Sequence, residues 1–136
     1  MKSLETLLKV AQRRLDDLGR EMAKLGQHLD MLRVDEAKLI GREQAEIAAA
    51  MQDVSLMALM PAYRRRVEQQ VALVRARIDQ AEMVMADTRA RLTAAYQEKS
   101  KFEELIERER IREAFTRAAL EQSALDEAAI NRVGRG

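Results

Sequence analysis

Leu56-Met57-Ala58-Leu59-Met60-Pro61-Ala62-Tyr63-Arg64-Arg65-Arg66 contains the only proline of the 136-residue chain and decides how it folds. Proline breaks a helix interior but fits the first helical turn, where its missing N–H costs nothing. On each side of this stretch, apolar residues recur at alternating steps of four and three, the spacing that keeps one stripe on one side of a supercoiled helix. The pattern predicts an all-α fold: two long helices in an antiparallel coiled-coil hairpin, the second longer than the first. Helix 1 is expected over about residues 3–55, a turn over about 56–61, and helix 2 over about 62–132, as one helical hairpin spanning residues 1–136.

The first stripe runs Leu4, Leu8, Ala11, Leu15, Leu18, Met22, Leu25, Leu29, Leu32, Glu36, Leu39, with Glu36 its one polar member. Ile40, Ile47, Met51 and Val54 follow one position out of phase. Leu32, Glu36 and Ile40 make two successive steps of four, a stutter that locally unwinds a supercoil. The second stripe runs Val67, Val71, Val74, Ile78, Ala81, Met85, Thr88, Leu92, Ala95, Lys99, Phe102, Ile106. Ile111, Phe115, Ala118 and Leu125 continue it, but offset by a five-residue step after Ile106.

A bend centred near Leu59 pairs Leu4 with Ala114 and Phe115, Met31 with Met85, and Lys99 with Gly19. Lys99 is then expected to extend towards Asp17 or Glu21. In this register helix 2 outruns helix 1 beyond about residue 116, and such an unpaired helix is marginal in water. The expectation is that this extension frays or binds something.

Composition agrees with helices. The chain is 35% charged and 3% aromatic, with five Gly and no Cys, the bias of coiled coils and long helices. Net charge is +1 and stays near balance along the chain: residues 1–55 carry 9 basic and 10 acidic side chains, and residues 61–110 carry 11 and 9. Nucleic-acid binders show a clear basic excess that is missing here. Without cysteine there are no disulfides or thiol chemistry, which fits a reducing compartment. The start, Met1 to Lys9, is interrupted by Glu5 and Lys9 and does not read as a signal peptide. No uncharged stretch approaches the ~20 residues that span a bilayer. A cytoplasmic protein is expected.

Chemistry-bearing residues are sparse. His28 is the only histidine, so a metal site or a nucleophilic triad lacks partners. Adjacent carboxylates (Asp16–Asp17, Asp35–Glu36, Glu103–Glu104) need a pocket to separate their pKa values, and a two-helix hairpin offers none. There is no phosphate-cradling glycine loop. No enzyme, metal or cofactor is expected. Contact surfaces are the better candidates. Met57 and Met60 lie in an apolar tip, and Met suits adaptable contacts; Tyr63, Arg64 and Arg65 form an adjacent basic collar suited to an acidic partner. The same tip could instead pack on itself. Gly19 and Gly26 read either as local softness or as a smooth strip where a partner approaches. Thr88 and Lys99 read as polar seam residues that set register.

The ends of the chain resemble a known family. Leu4-Glu5-Thr6-Leu7-Leu8-Lys9-Val10-Ala11-Gln12-Arg13-Arg14-Leu15-Asp16 is similar to the opening of the flagellar FliJ family. Lys101-Phe102-Glu103-Glu104-Leu105-Ile106-Glu107-Arg108 resembles its charged segment in the second helix, and Glu121-Gln122-Ser123-Ala124-Leu125-Asp126-Glu127-Ala128-Ala129 resembles its closing pattern. The resemblance implies an antiparallel coiled coil of the bacterial type III flagellar export apparatus, akin to the central stalk of rotary ATPases, peripheral to the membrane. Implied partners are the export ATPase ring, the export gate protein and export chaperones. Carried over, Leu4, Leu8, Arg13, Arg14, Ile106, Arg108, Arg110 and Phe115 would face the ATPase, and Glu121, Gln122, Leu125, Asp126 and Glu127 would lie on the unpaired extension. A general coiled-coil adaptor or chaperone, or an injectisome stalk homologue, fits the same stripes. The exposed extension also admits self-association.

Overall fold

The computed structural model describes residues 2–135. They form three helices, α1 (Lys2–Ala50), α2 (Val54–Met57) and α3 (Met60–Arg135), and no strand is present among them. The fold is all-α, with two long helices joined by a short linker in a hairpin, the second helix longer. The chain divides into two compact units. One, the bend unit, comprises Asp16–Thr93; the other, the terminal unit, combines the residues up to Leu15 with those from Ala94 onward.

The bend is made before the proline. α1 stops at Ala50, and its last turn tightens to three-residue spacing as Gln52 N–H donates to Ala49 O and Asp53 N–H to Ala50 O, both at 3.2 Å. Asp53 then adopts extended backbone (φ −140, ψ 109) and its carboxylate accepts from the Ser55 N–H at 3.0 Å and the Ser55 hydroxyl at 2.7 Å. A side-chain oxygen that satisfies an orphan N–H is what starts a helix, here α2. These hydrogen bonds hold the Asp53 carboxyl below the usual carboxylate range. No residue in the bend needs a positive φ. Pro61 follows as the second residue of α3, inside the first turn, where no donor is lost. The break expected at residues 56–61 thus falls earlier, because the Asp53–Ser55 cap competes with continuation of α1.

In the bend unit, Leu29, Leu32, Val74, Ile78 and Ala81 form the buried cluster, with Leu39 and Met85 packed against it. Every member of the α1 stripe from Leu18 to Leu39 turns inward, and Ile40, Glu43, Ile47 and Ala50 carry the seam to the end of the helix. The stutter at Leu32–Glu36–Ile40 is where it changes phase. Met51 and Val54, expected in that seam, are 77% and 83% exposed because the helix ends before them. Thr88 is buried at 2% exposure. Arg33 donates to Glu82 at 3.2 Å, and Arg75 lies 3.8 Å from Glu36. These pairs place facing residues several positions earlier on α3 than a bend centred on Leu59 would. Met31 lies outside the inward face of Leu29 and Leu32 and is 67% exposed, whereas Met85 packs against the buried cluster.

In the terminal unit, Leu4, Leu8, Ala11 and Leu15 of α1 turn inward, as do Ala95, Lys99, Phe102, Leu105, Ile106 and Glu109 of α3. Ala11 and Ala95 are the most enclosed, at 4% and 3% exposure. Lys99, expected to reach Asp17 or Glu21, instead lies 3.8 Å from Glu103 on its own helix. Every side chain from Arg110 to Gly134 is exposed. The unpaired stretch therefore starts earlier than residue 116, as the shifted register requires. Ala114 and Phe115, expected beside Leu4, belong to it.

Candidate partner-binding surfaces

Two surfaces follow from this architecture. The first is the bend. Met51, Val54, Leu56, Met57 and Leu59 are exposed between 39% and 83%. A surface this apolar is uncommon on a solvated bend, which makes it a candidate contact surface. Ile47, Ala50, Met51, Met57, Met60 and Arg64 line a groove of about 250 Å³ there. Of the residues singled out at the tip, Met57, Arg64 and Arg65 are exposed, while Met60 and Tyr63 are half-buried. The structure adds Met51 and Val54 to this surface. The signal that would have found them is Asp53-Val54-Ser55, an N-cap that ends one helix and begins another.

The second surface lies on the terminal unit. Arg13 and Arg14 are exposed on α1, with Val10 (59%) exposed four residues before Arg14 and Leu7 (45%) three residues before Val10. That spacing puts Leu7, Val10 and Arg14 on one helix face. Leu7 and Val10 escaped the sequence analysis because they fall outside the seam pattern. Leu4 and Leu8 are half-buried in the seam, and Ile106 is 6% exposed. Ile106 packs the unit together and offers a partner nothing, so it leaves the candidate set as a contact residue. Arg108 and Arg110 are exposed, and Arg108 donates to Glu104 at 2.6 Å. Phe115 is 78% exposed and does not meet Leu4 or Leu8, so the two sets expected side by side are brought together only in part.

Further along α3, Glu121, Gln122, Leu125, Asp126 and Glu127 are all exposed, and the Gln122 amide donates to Asp126 at 3.1 Å. Glu109 marks the last partly covered turn. It accepts from Arg112, whose hydrogen bond holds the Glu109 carboxyl below its usual range and keeps the Arg112 guanidinium raised. Among the described residues no cluster of His, Cys, Asp or Glu is arranged to hold a metal, and no helix is long and apolar enough to cross a membrane. His28 is exposed beside an open groove that also involves Leu25, Leu73 and Val84.

The two long helices match the hairpin that the resemblance implied. Comparison with curated proteins and with solved structures returns no match. The family model described as "Flagellar FliJ protein" matches residues 1–136, the whole length of the sequence. With its helical hairpin, the chain belongs to the flagellar FliJ family, a family of structural components of the flagellar export apparatus.

Proposed function

We propose that this protein is a stalk-like coiled coil that binds the export ATPase ring through its terminal unit and links that ring to the export gate protein and export chaperones. It would act without catalysis, cytoplasmic and peripheral to the membrane at the export apparatus. The observation that carries the ATPase contact is the exposed face of Leu7, Val10, Arg13 and Arg14, within the segment that resembles the family's opening. An exposed apolar pair beside two arginines offers a partner apolar area together with charge, and arginine is among the residues enriched at interface hot spots. Arg108, Arg110 and Phe115 add exposed groups on α3 of the same unit. Leu4, Leu8 and Ile106 support this face from inside. The apolar bend, with Met57 and the Arg64–Arg65 collar, is the surface left for the gate or a chaperone.

Co-purification with the export ATPase tests the reading. Arg13→Glu with Arg14→Glu weakens ATPase binding while circular dichroism shows unchanged helix content. Wild-type protein that neither binds the ATPase nor promotes assembly of its ring overturns the stalk reading. Loss of helicity in the double variant would make the two arginines structural. Binding to the ATPase would also separate this reading from that of a general adaptor.

A further inference from the structure

The exposed part of α3 carries its own seam. Ile111, Phe115, Ala118, Gln122, Leu125 and Ala129 follow steps of four and three, and all are exposed, Ile111 at 61%, Phe115 at 78% and Leu125 at 65%. This stripe does not prolong the one that faces α1. Ile106 is buried within the terminal unit, and the five residues from Ile106 to Ile111 turn the stripe by about 140° around the helix. A second helix can lie on it without displacing α1.

The charges beside the stripe are unevenly distributed. Arg110, Arg112 and Arg117, with Glu113, occupy its first half; Glu121, Asp126 and Glu127, with Arg132, occupy the second. A helix that is basic first and acidic afterwards complements itself when reversed. We infer that a second copy of this chain covers the stripe, as an antiparallel helix pair in which Phe115 of one copy faces Leu125 of the other. In the same register Ile111 faces Ala129, and Ala118 faces Gln122. Ile111 and Gln122 then each meet an alanine, and only Phe115 and Leu125 meet as two large side chains, which lets the helices approach closely. The two Gln122 side chains sit near the centre, where a polar seam residue fixes register.

The flanking positions decide the orientation. In the antiparallel pair Arg112 of each copy lies beside Asp126 of the other, two attractive pairs, against one repulsive meeting of the two Glu121 side chains. A parallel pair sets Glu121 beside Asp126 twice, and its compensating contact, Glu107 with Arg112, lies ahead of the stripe. Among the described residues Arg112 donates to Glu109 and Asp126 accepts from Gln122, both contacts within α3, and both side chains are exposed. The dimer does not rest on the ATPase contact, but it uses the same helix, so the dimer and a partner seated on α3 would exclude each other.

Sedimentation of the full-length protein over a range of concentrations tests the pairing. The expected result is a monomer–dimer equilibrium. Arg112→Glu turns both flanking attractions into repulsions and weakens the dimer about tenfold; Asp126→Arg does the same, and the two together restore it, with helix content unchanged in each. Because the chain has no cysteine, orientation can be read by oxidation. Ala118→Cys protein mixed with Gln122→Cys protein forms a disulfide-linked dimer, while each alone does not. A protein that stays monomeric throughout, a dimer indifferent to Arg112→Glu, a charge swap that fails to restore it, or single-cysteine variants that cross-link to themselves as readily as the mixture would each overturn the inference.

Discussion

Leu32 and Met31 are neighbours in sequence and opposites in the structure. Leu32 is 7% exposed in the cluster with Leu29, Val74, Ile78 and Ala81; Met31 is 67% exposed. Leu32→Ala removes three carbons from this seam. At about 0.8 kcal/mol per buried methylene the lost transfer energy is about 2.4 kcal/mol. That lies near the lower end of the range of about 2–5 kcal/mol for core Leu→Ala changes, as suits a two-helix seam that solvent reaches from both sides. Met31→Ala removes side-chain atoms that are already hydrated, and alanine is the better helix former, so its effect stays within about 0.5 kcal/mol. Urea unfolding followed by circular dichroism measures both. The reasoning concerns register, and it fails if Met31→Ala costs as much as Leu32→Ala, since the seam would then be turned by one residue. It fails also if Leu32→Ala shifts the unfolding midpoint no more than Met31→Ala does.

Two further outcomes follow from the bend unit. Asp53 is ionised below its usual range because Ser55 donates to it twice, so its contribution is present above about pH 4 and is lost as pH falls through the lowered folded value. Asp53→Asn keeps a capping oxygen without a titrating group, so the variant should lose that acid-dependent increment of stability; a wild-type acid profile in the variant refutes the cap's role. Gly19 and Gly41 have open space where a β-carbon would stand, with nothing within 4 Å. Alanine at either position should stabilise the helix by about 0.5–1 kcal/mol in thermal unfolding, and a lowered midpoint would show that the backbone is approached there.

How the candidate surfaces were legible depends on what each residue answers to. Arg13, Arg14, Arg110 and Phe115 could be named from the chain because the resemblance and the seam pattern mark them, and all are exposed. Ile106 was marked by the same resemblance and proves to be packing. A motif match does not say which way a side chain points. Leu7 and Val10 carry no seam periodicity and became candidates only once their exposure was known. Met51 and Val54 read as seam residues because hydrophobic spacing continues past Ala50, while the local hydrogen bonds of Asp53 end the helix there.

Heptad spacing by itself determined that the chain makes two long helices, which faces they bury from Leu4 to Leu39 and from Val67 to Ile106, and that the second is longer. It does so because apolar burial is periodic and each stripe needs a partner. Tertiary structure decided the register between them. Stripes of similar residues pair acceptably at several offsets, and the choice falls to the bend geometry and to cross-helix pairs such as Arg33–Glu82. A two-residue cap at Asp53 and Ser55 moved the turn towards the N-terminus. That shift drew Phe115 out of the paired region and left α3 uncovered from Arg110 onward, the surface to which a second copy is assigned.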